Sequence, residues 1–324
     1  MSGITVRVGR NHTLKVWTET TWGDITPTAA RYVQVKPPFG VGRDGAFKSS
    51  EILKGGRAKG MPYVEQLDAG GQITYVPHLA SLPWLAQFFI GPIGTGTDNL
   101  DGTYTYTQKL GALPAGMGVE VWDTVALKGT RLFGGMVSRV TWELVTAAGE
   151  PTMTFDLVGQ DSAETVSEVA GAVSTAGDLP LLHQLRSTLK VNAVEVGDIQ
   201  ELTLVFDLDV ERYWLAVANG TGIPGAVAAG LTGITGTIKA MLHDTEAYST
   251  LADGETEFEV ETGLDMGSSR SVNVRLPECK VQRVKKMIQG PKGIAVDFPF
   301  EAYLDDGADA SPIVLTTINN EASY

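Results

Sequence analysis

The sequence predicts a mainly β chain built as two tandem modules, and three observations carry that prediction. The first is an ordered internal echo. Met136–Val140, a glycine-containing gap and the alternating run Thr152–Leu157 form one hairpin pattern, and Lys280–Val284, a gap with Gly290 and Gly293, and Val296–Glu301 form a second. A strand pattern from Gly71 to His78 leading into Ser81, Trp84, Leu85 and Phe88 precedes the first. Gly236 to His243 leading into Thr245, Tyr248 and Leu251 precedes the second. Strand, short helix and hairpin occur twice in the same order, which is how a duplicated architectural unit shows itself. The second observation is composition, since 38 glycines and 15 prolines favour many short strands and tight turns over long helices. The third is the alternation of apolar and polar residues along most of these runs, the period of a half-buried strand.

Taken in order, Ile4 to Trp17 alternates as a first strand. Residues 37–61 are predicted to be a long glycine-rich polar loop. Within it Arg43, Lys48, Lys54, Arg57 and Lys59 stand against Asp44 and Glu51, a net charge of +3. Glu65 to Pro77 is a predicted strand, Ser81 to Ile90 a short helix and Gly91 to Gly102 a loop. Tyr104–Gln108, Gly118–Val125, Leu132–Leu144 and Thr152–Val158 are further strands, and Ala163 to Gly177 is a linker of small and polar residues. The module boundaries implied are 1–165 and 178–324.

In the second module Leu189 to Val196 and Glu201 to Val205 alternate as strands, followed by the acidic run Asp207, Asp209, Glu211. A glycine-rich stretch, a strand to Met241 and a short helix over Thr245 to Asp253 come next. Glu255, Glu257, Glu259 and Glu261 alternate with Thr256, Phe258 and Val260, so the four glutamates share one strand face. Like charges at that spacing repel and are expected to face water.

The chain is 324 residues long, enough for two ordinary cores, and with 43% hydrophobic and 19% charged residues it has a globular composition. The start, Met1–Ile4, lacks a basic and apolar leader, and the apolar stretch Leu82 to Ile90 is too short to span a bilayer, so no membrane association is expected. One cysteine, Cys279, allows no internal disulfide and fits a reducing cytoplasm. Charge is uneven. Residues 1–165 hold 14 basic against 15 acidic side chains, a net of −1, whereas residues 166–324 hold 11 against 23, a net of −12. So acidic a half argues against binding to phosphate backbones, which relies on Lys and Arg.

Chemistry-bearing motifs are few. Gly220, Gly222 and Gly225 spell G-x-G-x-x-G, but Gly230, Gly233 and Gly236 follow where a phosphate-binding helix should start, so a turn-rich loop is the better reading. Asp207, Asp209 and Glu211 have oxygen donors suited to calcium without the glycine-turned loop that usually carries them, and a solvated strand face is favoured. His78 and His243 occupy equivalent places but have no nucleophile or acid at equivalent spacing, which points to packing rather than general-base work. Cys279 lies in a predicted hairpin strand and is expected to be a small buried core residue. No nucleophile elbow, Walker loop or zincin motif occurs, and no catalytic residue, cofactor or metal is expected.

Several segments together resemble the phage tail tube proteins of long-tailed, siphovirus-like bacteriophages. In the first half these are Phe47 to Ile52, the Gly71–Tyr75 strand, Phe133 to Thr141 and Phe155 to Gly159. In the second they are Val191 to Thr203, Gly233 to Gly236, Gly293 to Leu304 and Leu315 to Asn320. The resemblance covers residues 40 to 324 in order, with departures at Gly91–Gly118 and Asp207–Gly230. It implies two tandem β-sandwich or barrel modules, each with a short flanking helix. It also implies a structural virion protein that polymerises as stacked rings into a hollow tail tube, the conduit for DNA ejection.

The implied partners are copies of the chain itself, as homotrimeric pseudo-hexameric rings or alternatively hexameric rings. The tape measure protein, the tail terminator and the distal tail or baseplate proteins complete the set. Genomic DNA passes through without specific binding, and assembly takes place in the bacterial host cytoplasm. On this basis the face of Glu255, Glu257, Glu259 and Glu261, or that of Asp207, Asp209 and Glu211, is expected to line an acidic lumen. Arg43, Lys48, Glu51, Lys54, Arg57 and Lys59 are expected to form an inter-ring contact loop. The alternative is a tandem β-sandwich adhesin or tail-tip binding protein.

Overall fold

The computed structural model describes residues 12–27, 30–48, 63–145, 151–170, 187–195, 199–214, 224–241, 257–267, 270–281, 295–304, 307 and 309–324. In chain order the elements of the first half are β1 (His12–Glu19), β2 (Arg31–Val33), β3 (Val35–Lys48), β4 (Tyr63–Tyr75), the helix α1 (Leu82–Ala86), β5 (Thr97–Asp98), β6 (Tyr104–Lys109), β7 (Gly116–Asp123), β8 (Lys128–Val145), β9 (Thr152–Gly159) and β10 (Asp161–Thr165). The second half supplies β11 (Ser187–Val191), β12 (Val194–Glu195), β13 (Ile199–Asp207), β14 (Glu211–Tyr213), β15 (Ala226–Ala228), β16 (Gly233–Met241), β17 (Phe258–Gly267), β18 (Arg270–Val281), β19 (Ala295–Ala302) and β20 (Val314–Asn319). The mainly β prediction holds, and every pairing between these strands is antiparallel.

Two long strands organise the layers. The first part of β8 pairs with β7 on one edge and β10 on the other, while its second part, from Met136, pairs with β9 and β13. The strand changes sheet at Gly134, whose φ of +59° suits glycine and where an added Cβ would lie 2.6 Å from the Gln160 side chain. β18 repeats the pattern. Its residues Ser271–Arg275 lie between β17 and β20, and Cys279–Val281 pair with β19. The order β4–β9–β8 in the first half thus has a counterpart, β16–β19–β18, in the second.

The halves are also joined. β13 pairs with β8, Leu204 opposite Trp142 and Phe206 opposite Val140, and β20 pairs with β6 over Val314–Asn319. One apolar cluster runs through both halves. Phe89, just after α1, stacks edge-on against Phe155 of β9 at 5.8 Å and Phe206 of β13 at 4.9 Å between ring centres. Strand alternation supplies this core directly: Met153, Phe155 and Leu157 on β9, and Leu202, Leu204 and Phe206 on β13, all point inward.

Three expectations are corrected. Residues 35–48 form β3, paired with β4 from Val35↔Tyr75 to Lys48↔Tyr63, so the first part of the supposed loop 37–61 is one strand of a long hairpin. Glycine content there suggested a loop. An added Cβ on Gly71 would instead lie 2.1 Å from the Gly40 carbonyl, so glycine permits close strand approach. The helix predicted over Ser81–Ile90 is only Leu82–Ala86. The predicted linker begins as strand β10, and among the residues beyond it Val169 is buried with Trp17 and Ala30 in a second apolar cluster, while its neighbours Val166–Glu168 and Ala170 are exposed. The helix expected over Thr245–Asp253 lies outside the described residues.

Candidate functional site

Arg43 lies on β3 and is engaged within the chain. It pairs with Asp161 and donates to the Ser162 carbonyl at 2.9 Å. Lys48 closes β3, while Glu51, Lys54, Arg57 and Lys59 lie outside the described residues.

The two acidic sets have different surroundings from those expected. Asp207, Asp209 and Glu211 do not share a strand face. Asp207 ends β13, Asp209 turns the chain at φ +47°, and Glu211 opens β14. Asp207 accepts the Asp209 backbone N–H at 3.2 Å, and the β14–β15 hairpin that follows is fastened to β4 by Arg212, which reaches the Ala69 carbonyl at 2.8 Å and Asp68 at 3.1 Å. An aspartate that bonds to the chain two residues on makes a turn, not a strand.

On β17 and the residue just before it the alternation does hold, with Phe258 and Val260 buried and Glu257, Glu259 and Glu261 outward; Glu255 is outside the described residues. Yet each of these three carboxylates has a cation. Glu257 meets Lys280 at 3.5 Å, Glu259 meets Arg275 at 2.6 Å, and Glu261 meets Lys190 at 3.7 Å while accepting from Asn273 at 2.7 Å. The bases come from neighbouring strands, which sequence adjacency does not reveal. Arg275 also reaches Asp309 at 2.6 Å, and Lys109 reaches the same carboxylate at 3.0 Å. Hydrogen bonding from Lys109, with the charges of Lys109 and Arg275, holds Asp309 below the usual carboxylate range.

A different surface is open. The sheet β4–β9–β8–β13–β16–β19 buries its apolar side and presents an almost wholly polar one. In register, one row across the strands reads Thr74, Thr154, Thr141, Val205, Thr235, Glu301. The next reads Thr152, Glu143, Thr203, Thr237, Pro299. Side chains link along these rows: Thr74 and Thr154 hydroxyls lie 3.3 Å apart, Thr152 donates to Glu143 at 2.8 Å, and Gln72 donates to Asp156 at 2.8 Å. Sequence reasoning missed this face because its members come from six strands. The outward threonines of β9, β13 and β16 were its only local signal. At one margin of the same sheet, the β3 edge turned away from β4 has no strand partner among the described residues.

The remaining motif residues are structural. Cys279 is fully buried, its thiol 3.9 Å from the Leu276 carbonyl, and burial pushes its pKa up to about 12, so it is protonated and inert. His78 is buried beside Tyr75, whose hydroxyl accepts the His78 backbone N–H at 2.6 Å. His243 and Gly220–Gly222 lie outside the described residues. Among the described residues no group of three His, Cys, Asp or Glu side chains is placed to hold a metal ion, and no helix is long and apolar enough to cross a membrane.

Compared with known families, residues 9–302 match a family model described as phage tail tube protein. No protein of curated function matches the chain.

Proposed function

The chain belongs to the phage tail tube protein family and is a structural component of the virion tail, and from that premise we propose that it polymerises as rings stacked into a hollow tube through which the genome leaves. Each ring contains three chains, and each chain contributes two repeats, residues 1–165 and 178–324, so that the ring is pseudo-sixfold. The tape measure protein occupies the lumen during assembly in the host cytoplasm, and terminator and distal tail proteins bind the two ends.

One observation supports this reading above the others: β8 of the first repeat hydrogen-bonds to β13 of the second, from Arg139↔Asp207 to Val145↔Leu202. By position β13 is the counterpart of β3, because β13 pairs with β16 as β3 pairs with β4. A single chain therefore already contains one repeat-to-repeat junction, made on the β13 edge. The equivalent edge of β3 is the one without a strand partner among the described residues. A second copy offering its counterpart of Arg139–Val145, which lies beyond Val281, would repeat the junction and close a ring by a heterologous contact. Residues 44–60, with Lys48, Glu51, Lys54, Arg57 and Lys59, are assigned in this reading to contact between rings, their positive charge meeting the acidic second half, while Arg43 anchors the base of the hairpin through Asp161.

Negative-stain electron microscopy of the purified chain with tail-tip components tests the proposal. Hollow rods of uniform width with a regular axial repeat are expected, and helical averaging separates three chains per ring from six. Discrete particles that never stack would instead favour a tail-tip or adhesive role.

A further inference from the structure

Two exposed leucines hold a backbone conformation that leucine rarely takes. Leu127, in the turn between β7 and β8, has φ +50°, and Leu100, in the turn between β5 and β6, has φ +64°. Crowding at Cβ makes this left-handed region costly for most residues other than glycine, asparagine and aspartate. Packing within the chain does not offset that cost, since Leu127 is 63% exposed and Leu100 92%. The Leu127 turn is firmly built. The Asp123 carboxylate accepts the backbone N–H groups of Val125 and Ala126, both at 2.9 Å. Val125 is exposed on the same turn, and exposed Val166 follows Thr165, which stands in register with Gly129 beside it. Scattered apolar residues on a surface are ordinary, but these three share one rigid tip.

Near the other end of β1 is an open cleft of about 530 Å³, whose lining includes Thr18, Trp84, Gln87, Ile93, Tyr106 and Tyr324. Its walls are fixed. The Tyr106 hydroxyl donates to the Glu321 carbonyl at 2.6 Å, and the Tyr324 hydroxyl to the Ala80 carbonyl at 2.7 Å. These two rings meet edge-on with centres 4.9 Å apart, and the Arg31 guanidinium lies over both Trp84 and Tyr324. An occupant of so preorganised a site loses little to ordering its walls. Tip and cleft mark opposite ends of the β1–β7 pair. His12 is opposite Asp123 and Thr18 is opposite Met117, and the two positions are about 20 Å apart along β1. Leu100 stands on the hairpin that carries Tyr106.

We propose that the Val125–Leu127 tip of one chain seats in the Trp84–Tyr106–Tyr324 cleft of a second copy, in the next ring of the tube. The proposal rests on the tube reading above. A knob and its receptor at opposite ends of one chain make a heterologous contact, in which each copy gives one and takes one and the series need not close. A tip of three side chains buries far less than the ~1,200 Å² of a stable interface, so isolated chains do not associate through it. Three such contacts between two closed rings act together, because the first to form raises the effective concentration for the others. Stacking thereby waits for ring closure. The charge of residues 44–60 steers the approach, and the tip supplies the apolar burial.

Asparagine accepts the left-handed conformation, which lets docking be separated from folding. A chain carrying Leu127→Asn and Val125→Ser is expected to melt no lower than the wild type. With tail-tip components present, its critical concentration for tube growth is expected to rise about tenfold or more. An unchanged critical concentration would overturn the docking role. A cysteine pair reads the contact directly, with Cys279 buried and silent. Ala126→Cys and Thr95→Cys in one chain leave Val125 and Leu127 in place and put one thiol on the tip and one in the lining of the cleft. Mild oxidation of tubes is expected to give a ladder of linked chains longer than three, and neither single variant is expected to give one. A ladder that ends at three chains would put the contact within a ring, and tubes without links would remove it, so either result overturns the proposal. Wild-type chains that never form rods with tail-tip components would instead overturn the tube reading.

Discussion

Lys15 of β1 and Glu120 of β7 stand directly opposite each other in the sheet, both buried, and both are committed to the same third segment. Lys15 pairs with Glu168 at 2.8 Å, donates to the Val169 carbonyl and lies 4.9 Å from the centre of the Tyr32 ring. Glu120 accepts the Val169 backbone N–H at 3.0 Å and is itself paired with Arg131 at 2.8 Å. Two opposite charges thus grip the N–H and the carbonyl of one residue just after β10, and the Val169 side chain enters the core between them.

Removing the base from that grip loosens the segment. Lys15→Met should lower stability by about 2–3 kcal/mol, below the full cost of breaking a buried pair because Glu168 is partly exposed and regains water. A urea midpoint shift with an unchanged slope measures it. A midpoint equal to that of the wild type would mean that Val169 is held by packing alone.

Glu19 is buried, has no basic partner among the described residues, and accepts two backbone N–H groups, from Gly23 and Gly134, each at 2.8 Å. Burial raises its pKa, and the two peptide bonds only partly offset this. A raised carboxyl pKa means that the folded state holds the proton more tightly than the unfolded one. Stability linked to this group is full below the unfolded pKa and lost as pH rises through the folded one. Relative to Glu19→Gln, the wild-type chain should therefore gain stability as pH is lowered through the carboxylate range. Parallel melting-temperature profiles for the two proteins would contradict this.

Asp309 has the opposite sign. Its pKa is lowered, so its contribution is present above the ordinary aspartate range and disappears as pH falls toward the folded value. Asp309→Asn should be less stable than the wild type near neutrality and converge with it in acid. High salt should narrow the neutral-pH gap, because the cluster with Lys109 and Arg275 is partly exposed.

Two glycines make a paired comparison. A Cβ on Gly118 would fall 2.0 Å from the Trp17 ring, whereas one on Gly42 meets nothing within 4 Å. Gly118→Ala should cost about 2 kcal/mol or more by overpacking, and Gly42→Ala should change stability by less than about 0.5 kcal/mol. Thermal melts of both variants check this, and equal effects would refute the packing account.

Deleting Asp44–Gly60 shortens the β3–β4 hairpin by its outer end. The expected product is folded chains that form rings but no longer stack, read by electron microscopy beside sedimentation. Normal tubes without the segment would end its assignment as an inter-ring contact.

What the sequence disclosed was whatever depends on near neighbours. Alternation located β9, β13, β16 and the inward residues of β17, because the period-two pattern is local. The same reading mistook β3 for a loop, since Gly40, Gly42 and Gly45 carry the usual signature of a turn whether the chain bends or merely comes close to another strand. It also judged the β17 glutamates by their own strand, while Lys190, Arg275 and Lys280 arrive from β11 and β18. The polar face and the β8–β13 junction were illegible for the same reason, being properties of register between strands up to about a hundred residues apart in sequence.

The β8–β13 junction has a kinetic side as well. In the ring proposed here, one of every two lateral contacts is made when a chain folds, at a rate independent of concentration. Covalent linkage supplies the effective concentration that separate repeats would have to reach by expression level. A closed ring then requires three contacts between chains instead of six between separate repeats, and incomplete arcs, which expose unpaired strand edges, are fewer in kind and shorter-lived. Fusion of the repeats thereby limits the off-pathway aggregation that open sheet edges invite in a crowded cell.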